Sequence, residues 1–377
     1  MEKKADIAIV GAGILGLAHA YAAARRGRRV VVFERDMRAS RASIRNFGLI
    51  WPIGQTHGAM HQLALRSRDN WLQVLKETDL PYCPGGSLHL VYRDDEAAVA
   101  REFAEVAPSL GYDCAWLKRE QVLARSAAVR ADNLIGALWS PVELTIDPRV
   151  TLAALPTYLS EKFGVQLCFS SAVQNIDLPI VETGSERWKV DRAIVCSGDD
   201  FESLYPDVYA GAGLTRVKLQ MLRTEPQPPG WSLGPALAAG LTLRFYPSFS
   251  VCSSLAALKQ RILHETPEYD RWGIHGLVAQ TASGELTLGD SHEYGLFVDI
   301  FNREEIDDLM VNYITSFLNA PTMRIAQRWY GVYAKHPDQT YLTLEPAPGV
   351  RIVTSPGGAG MTLSFGIARE TVAEMEL

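Results

Sequence analysis

Gly11, Gly13 and Gly16 spell G-x-G-x-x-G directly after the apolar run Ile7–Val10, and that spacing implies a particular chemistry. The first glycine permits a tight strand-to-helix turn, the second lets backbone approach a pyrophosphate, and the third lets the helix lie close on the strand. Ile14 and Leu15 open that helix, whose free N–H groups and positive dipole end face phosphate oxygens. Glu34 closes a second strand, "RVVVFE", where it is placed to accept hydrogen bonds from a ribose, and Arg35 follows it. At the far end, "GVRIVTSPGGAGMT" repeats the strand, glycine loop and helix, with Gly357, Gly358 and Gly360 ahead of Met361 and Thr362. A helix start there aims its dipole at the N1–C2=O edge of a flavin, where negative charge collects on reduction. A nicotinamide-dependent chain has no need of this second element, so the two motifs together read as an FAD site.

These residues require a strand–helix–strand unit turning at Gly27, with buried parallel strands, in a chain long enough for about two domains. Of 377 residues, 47% are hydrophobic and 21% charged, an ordinary globular balance. The net charge of -6 argues against a nucleic-acid partner, since no basic stripe is left to collect phosphates. The basic patches "RRGRR" and "RDMRASRASIR" both flank the nucleotide motif. Five cysteines without a Cys-x-x-Cys pair read as reduced thiols of a cytoplasmic protein, not a disulfide framework or a zinc site. The start "MEKK" followed by an apolar run imitates a signal peptide, but the glycine spacing favours a globular strand and helix, and no run is suited to spanning a bilayer. Asp147–Pro148 reads as a helix N-cap and first-turn proline, and Asn302 as the N-cap of "REEIDDLMVNYITSFL". "GGSLHLVYRD" and "GIHGLVAQTASGELTLGDS" alternate as strands of a second domain, and "EPQPPGWSLGP" reads as loop.

With both ends and the intervening "SIRNFGL", "TIDPRVTLAAL", "SSAVQNID" and "AIVCSGDD" in hand, the chain resembles the D-amino-acid oxidase, glycine oxidase and sarcosine oxidase family of flavoproteins over almost its whole length. The resemblance implies an α/β fold with a discontinuous Rossmann-like FAD-binding domain (1–82, 145–215 and 323–377). The second, α+β substrate domain (83–144 and 216–322) is built on a mixed antiparallel sheet. It implies that Ser43, Asn46, Gly48 and Leu49 contact FAD, that Val173 meets the adenine through its backbone, and that Gly198 closes a third cofactor segment. No cysteine lies near "RWYGVY", so the flavin is expected to be non-covalent. For Trp51 and Pro52, core packing and a site role stand equal.

In that family an amine gives hydride to flavin N5, the imine hydrolyses, and O2 usually reoxidises the flavin. The family's Trp-x-Gly-x-Arg arginine, which grips a substrate carboxylate, is replaced here by Tyr333 in "RWYGVYAKHPD", with Tyr330 before it and Lys335 and His336 after it. A point charge and hydroxyls suit a tetrahedral oxyanion better than a planar carboxylate. The strand "GIHGLVAQ" sets His275, Leu277 and Gln280 as candidates to face the flavin, and "GDSHEYG" adds Asp290, His292 and Tyr294. Metal chemistry is not indicated, since His292 and Asp290 lack partners at ligand spacing. "IRNFGLIWPIGQ", "GELTLGDSHEYG" and "WYGVYAKHP" together resemble a subgroup associated with phosphonate catabolism. That resemblance implies oxidation of 2-aminoethylphosphonate or its N-methyl derivative to phosphonoacetaldehyde. Two other readings stand beside it: an oxidase of glycine, sarcosine or a D-amino acid using Lys335 or Arg45 as its cation, and a flavoprotein passing electrons to a protein partner.

Overall fold

The apolar run Ile7–Val10 is a central strand of a six-stranded sheet in the computed structural model, which describes residues 3–377. Its strands run Gln166–Cys168, Val30–Phe33, Ile7–Val10, Arg192–Val195, Val350–Thr354 and Leu342–Ala347 across the sheet, the first five parallel and the last antiparallel. Both faces are covered, so these strands are continuous hydrophobic runs without polar alternation. Ile7 and Ile9 face a layer containing the helices Ile14–Arg25, Ala59–Thr78, Pro148–Phe163 and Gly360–Glu374. Ala8, Val31, Phe33 and Val195 face the other way, onto Val181, Trp188 and Tyr209. Trp188 and Val181 belong to a four-stranded sheet, three of whose strands lie between the third and fourth segments that feed the first sheet, while the other, Lys3–Lys4, precedes Ile7–Val10.

The second layer is a nine-stranded mixed sheet, with the helices Asp94–Val106, Leu255–Glu265 and Glu304–Phe317 burying their apolar faces in its core. Its longest pairing joins Thr215–Thr224 to Ile325–Lys335, in register from Thr215 opposite Lys335 to Arg223 opposite Gln327, after which the register shifts to set Thr224 opposite Ile325. The stretch 323–377, expected as one piece of the nucleotide layer, therefore divides. Ile325–Lys335 belongs to the larger sheet, and Leu342–Ala347, Val350–Thr354 and the terminal helix belong to the nucleotide layer. No described helix is long and apolar enough to cross a membrane, and the five cysteines are free.

Asp147 caps the helix Pro148–Phe163 as its sequence predicts: its side chain accepts the Arg149 N–H at 2.9 Å, Pro148 occupies the first turn, and Gly164 ends the helix at φ +67°. The same carboxylate pairs with the Arg149 guanidinium at 2.6 Å, which reaches Glu285 of the larger sheet at 2.5 Å and ties the two layers together. Asn302 is not the cap of the later helix. That helix runs Glu304–Phe317 behind Arg303, whose N–H donates to Gln220 Oε1 at 2.7 Å, so a tertiary partner on the long strand does the work expected of a local side chain. Asp147→Ala is expected to cost about 1–2 kcal/mol and lower the thermal unfolding midpoint, with Asp147→Ser recovering much of the loss. An unchanged midpoint in circular dichroism would remove Asp147 as the cap that matters.

Candidate cofactor and substrate site

A cavity of about 1000 Å³ runs along the carboxyl ends of the parallel strands and on between the two layers. That is the top of the range for small-ligand pockets, roughly 300–1000 Å³, and it is room for a dinucleotide and a small partner. Such clefts lie where parallel strands end because the turns there expose backbone donors.

At its outer end the glycine fingerprint is built by close approach. Gly11 holds φ +99°, and a Cβ there would meet the Cys196 carbonyl oxygen at 2.4 Å. A Cβ on Gly16 would lie 1.8 Å from the Gly11 oxygen, so Gly16 sets the helix against its strand and does not itself line the cavity. Gly13 does line it, and its Cβ would stand 3.0 Å from the Ser43 hydroxyl, which accepts the Ile14 N–H at 2.9 Å. Leu15 joins the wall beside them. The Glu34 carboxylate accepts from the N–H groups of Ala12 at 2.9 Å and Asp36 at 3.1 Å, fixing the turn at the end of its strand. Arg35 pairs with Asp200 at 2.6 Å and Arg41 with Asp199 at 3.3 Å.

Asn46, Leu49, Val173 and Gly198 also face the cavity. The Asn46 amide donates to the carbonyls of Ala42 and Ser43 and accepts from Gly48 N–H, shaping the turn that carries Ser43. Gly48 lies outside the wall: it holds φ +75°, and a Cβ there would sit 2.0 Å from the Ile146 oxygen. The opposite wall is the C-terminal loop and helix start, with Gly358, Gly360, Met361 and Thr362. Thr362 Oγ1 accepts the Trp51 N–H at 2.9 Å, fastening the stretch after Leu49 to the start of the C-terminal helix. Nothing stands within 4 Å of a Cβ on Gly357, so this loop presents bare backbone to the space a flat ring would fill.

The inner end is rich in aromatic rings. His275, Asp290, His292, Tyr333 and Lys335 line it, with Phe245 and Tyr246 from the segment before the short helix Pro247–Val251. The Phe245 and His275 rings lie 3.7 Å apart between centroids, and His275 and His292 lie 4.8 Å apart. Asp290 Oδ1 is 3.8 Å from His275 Nδ1, and Oδ2 is 3.9 Å from His292 Nε2, too long for hydrogen bonds. Burial pushes the Asp290 carboxyl up to about 7. Burial draws His292 down to about 4 and His275 well below the ordinary imidazole value, with Arg244 and Lys335 adding repulsion on both and His292 adding to that on His275. Lys335 is also lowered by burial. Its Nζ stands 5.0 Å from the Tyr294 ring centroid and meets no carboxylate or carbonyl among the described residues, whereas Arg45 donates to the Ser40 and Tyr330 carbonyls. Among the described residues no group of three His, Cys, Asp or Glu side chains is arranged to hold a metal ion.

Two candidates fall outside this group. Gln280 turns away, its Oε1 accepting the Leu233 N–H at 2.8 Å, because a strand alternates faces and position 280 has opposite parity to 277. Tyr330 is likewise out of phase with Tyr333 on its strand, and its ring lies under Arg45 and Lys218 instead of lining the cavity. Phe245, Tyr246 and Gln55, which line the cavity, were not singled out by the sequence. Phe245 and Tyr246 sit in irregular chain with no periodicity, and Gln55 had only its place in the glycine-rich stretch after the second cofactor segment.

The sequence family described as FAD dependent oxidoreductase matches residues 6–374. The bifunctional protein ThiO/ThiG of Nostoc sp. is 29% identical over 231 residues, covering 58% of this chain and 34% of that protein. The glycine oxidase of Geobacillus kaustophilus is 24% identical over 210 residues, covering 52% and 55%. Its crystal structure superposes with TM-score 0.78 at 18% identity over 99% of this chain and 94% of that one. The L-proline dehydrogenase of P. horikoshii gives TM-score 0.79 at 21% identity, over 100% and 94%. The matched regions thus span between about a third and just over half the length of the curated relatives, and the structural likenesses establish the fold. The bare glycine backbone on both cavity walls, which a Cβ at Gly13 would begin to fill, fits FAD. Gly13→Val is expected to give folded protein with little bound flavin, since its branches enter the space beside Ser43. Full flavin occupancy by absorbance ratio would refute that placement.

Proposed function

The chain belongs to the family of FAD dependent oxidoreductases, and from that premise we propose that it oxidises a small amine carrying an anionic group, with 2-aminoethylphosphonate or its N-methyl derivative as the substrate and phosphonoacetaldehyde as the product. The observation that carries this reading is the pairing state of the cavity's cations. Arg35, Arg41 and Arg45 are all engaged, and Lys335 is left with no partner among the described residues. The position where amino-acid oxidases carry a carboxylate-gripping arginine holds Tyr333. A bidentate guanidinium fits a planar carboxylate, whereas a single ammonium with a nearby phenol places fewer demands on anion shape and suits a tetrahedral phosphonate.

In this proposal Gly11, Gly13, Ile14, Leu15, Glu34, Arg35 and Ser43 hold the adenine dinucleotide half, with Val173 and Gly198 beside it. Asn46, Leu49, Gly358, Gly360, Met361 and Thr362 bound the ring. Gly16 and Gly48 act through packing. The cofactor domain takes 1–82, 145–215 and the segment after Lys335, and the substrate domain takes the rest. The chemistry FAD supplies when bound is acceptance, at N5, of a hydride from the carbon bearing the amine. The chain's own part is to bind and orient. Lys335 and the Tyr333 hydroxyl anchor the anionic end, and a Cβ on Gly358 would lie only 3.6 Å from that hydroxyl, so the anchor stands against the ring's loop. Phe245, Tyr246 and Trp51 exclude water from the amine-bearing end. The imine so formed hydrolyses to the aldehyde, and O2 serves as the acceptor. A second reading, oxidation of glycine or sarcosine, is supported by the glycine oxidase relative.

Anaerobic titration of the purified yellow protein tests both. 2-Aminoethylphosphonate or its N-methyl form is expected to bleach the flavin absorbance while glycine, sarcosine and D-alanine leave it unchanged. Bleaching by an amino acid alone transfers the assignment to the second reading. Lys335→Met should raise the substrate dissociation constant by about 10–100-fold, the loss of one charge-assisted hydrogen bond, at unchanged flavin content. An unchanged constant removes Lys335 as the anchor. The flavin should be released by acid precipitation, and colour retained in the pellet would mean a covalent link.

A further inference from the structure

The inner end of the cavity contains a buried group of polar atoms that the protein leaves without hydrogen-bond partners. Asp290 and His275 are 7% and 6% exposed, and Asp290 Oδ1 and both His275 ring nitrogens have no hydrogen-bond partner. His292 Nδ1 lies 2.9 Å from the Gly273 carbonyl oxygen, which can only accept, so the neutral ring carries its proton on Nδ1. Its Nε2, turned toward Asp290 Oδ2, is then a lone pair. Neutral His275 likewise keeps one nitrogen as an acceptor. The unpartnered Asp290 oxygen and His275 ring therefore lie beside the His292 Nε2 lone pair with no hydrogen bond among them, a costly arrangement in a buried site unless a ligand supplies donors. A primary ammonium carries three N–H donors, and a secondary ammonium carries two.

We propose that Asp290, flanked by His275 and His292, receives the ammonium of the substrate and takes its proton, delivering a neutral amine for oxidation. This rests on the reading of the protein as an amine oxidase but not on the phosphonate. The step balances simply: an N–H bond of the ammonium breaks, its electron pair stays on nitrogen, and the proton passes to an Asp290 oxygen, leaving a neutral carboxylic acid. The free pair on nitrogen is what allows the adjacent carbon to lose hydride and form the C=N bond.

The groups facing Asp290 agree with this role. His275 precedes the strand Leu277–Gln280; His292 and Tyr294 follow Asp290 itself; Tyr333 stands on Ile325–Lys335; and Tyr246 lies before Pro247–Val251. The three phenols each feel the charge of Asp290, and burial and that charge raise all three above the ordinary tyrosine value, so they remain neutral. Arg244 and Lys335 act on the histidines, and neither pairs with Asp290. A carboxyl raised to about 7 is a far better proton acceptor than a surface aspartate and is still mostly ionised in mild alkali. The histidines, driven below their usual range, are too weakly basic to replace it.

The test is the pH profile of flavin reduction under anaerobic rapid mixing, read as the reduction rate constant divided by the substrate dissociation constant. In the wild-type protein it should climb tenfold per pH unit below about 7 and then hold a plateau to pH 9, because the protonated substrate is the form that binds. Asp290→Asn should keep its flavin, and keep its affinity for ethylphosphonate, which lacks the amine. At pH 7.4 its reduction should fall by roughly 10²–10³-fold, because an alkylammonium of pKa near 10.4 is neutral in about one molecule per thousand. Its profile should instead rise tenfold per unit through pH 9. A wild-type profile that already rises through pH 9 would overturn the proposal without reference to any variant, as would an Asp290→Asn profile that keeps the plateau. Reduction by glycine and not by the phosphonate overturns the substrate assignment alone, and the slope measured with glycine then decides the role of Asp290. No reduction by any amine overturns both.

Discussion

The distance between the Gly11 carbonyl and the backbone of Gly16 is the constraint from which the cavity follows. With 1.8 Å between that oxygen and the place a Cβ would occupy, the helix Ile14–Arg25 can lie on its strand only with glycine at position 16. That helix packs against Gly360–Glu374, so its seating also sets where the C-terminal helix begins. Gly366 repeats the device one layer out, where a Cβ would stand 2.7 Å from the Leu63 oxygen of Ala59–Thr78. Trp71 of that helix donates from its indole to the Met361 carbonyl at 2.7 Å. Three helices are thus held at backbone-to-backbone separations, and two of them point their N-terminal ends into one cavity. In the proposed cofactor placement, positive helix ends at the phosphates and beside the ring would be a consequence of that packing.

Charge is graded along the cavity by pairing. At the outer end every cavity-lining arginine is engaged: Arg35 and Arg41 with carboxylates, Arg45 with carbonyls. Paired charges hold geometry and shift little when a ligand arrives. The inner end is walled by Phe245, Tyr246 and Leu277, and its ionisable groups are left apart. In such a low-dielectric setting an unpaired group exerts its field over a longer range and adjusts its proton affinity to whatever binds. The long antiparallel pairing of Thr215–Thr224 with Ile325–Lys335 makes this possible, because it holds Tyr333 and Lys335 on a rigid strand at the edge of the nucleotide layer.

The nucleotide layer was legible in the sequence because its signals are local. Glycine spacing, the buried run Ile7–Val10, the acidic end at Glu34 and the Asp147–Pro148 cap each depend on neighbours within a few residues. The substrate end was legible only where strand alternation was applied consistently. On Leu277–Gln280, Gln280 is out of phase with Leu277, and on Ile325–Lys335, Tyr330 is out of phase with Tyr333 and Lys335; both out-of-phase residues face elsewhere. Asn302 failed as a cap for a different reason: Gln220, some eighty residues earlier, binds the Arg303 N–H and the Asp307 carboxylate, and no local pattern announces a distant partner. Phe245, Tyr246 and Gln55 come from irregular chain and 3₁₀ turns, where side-chain direction is set by tertiary packing alone.

In the proposed reading, Lys335 and Asp290 together favour a bipolar ligand. Both line the cavity, one cationic and one acidic, and no ion pair links them. Each is shifted by burial toward its neutral form, Lys335 downward and Asp290 upward. A neutral ligand would leave both desolvated and uncompensated, and a simple anion or a simple cation would satisfy only one. A molecule with an ammonium at one end and an anionic group at the other satisfies both, and its arrival favours the charged form of each by the opposite charge it brings. Selection by such a site is weakly sensitive to the shape of the anion and strongly sensitive to the distance between the two poles. In the proposed reading, with Tyr333 and Lys335 in place of a guanidinium fork, the basis of specificity moves from the geometry of a carboxylate to the length of the molecule that carries the anion.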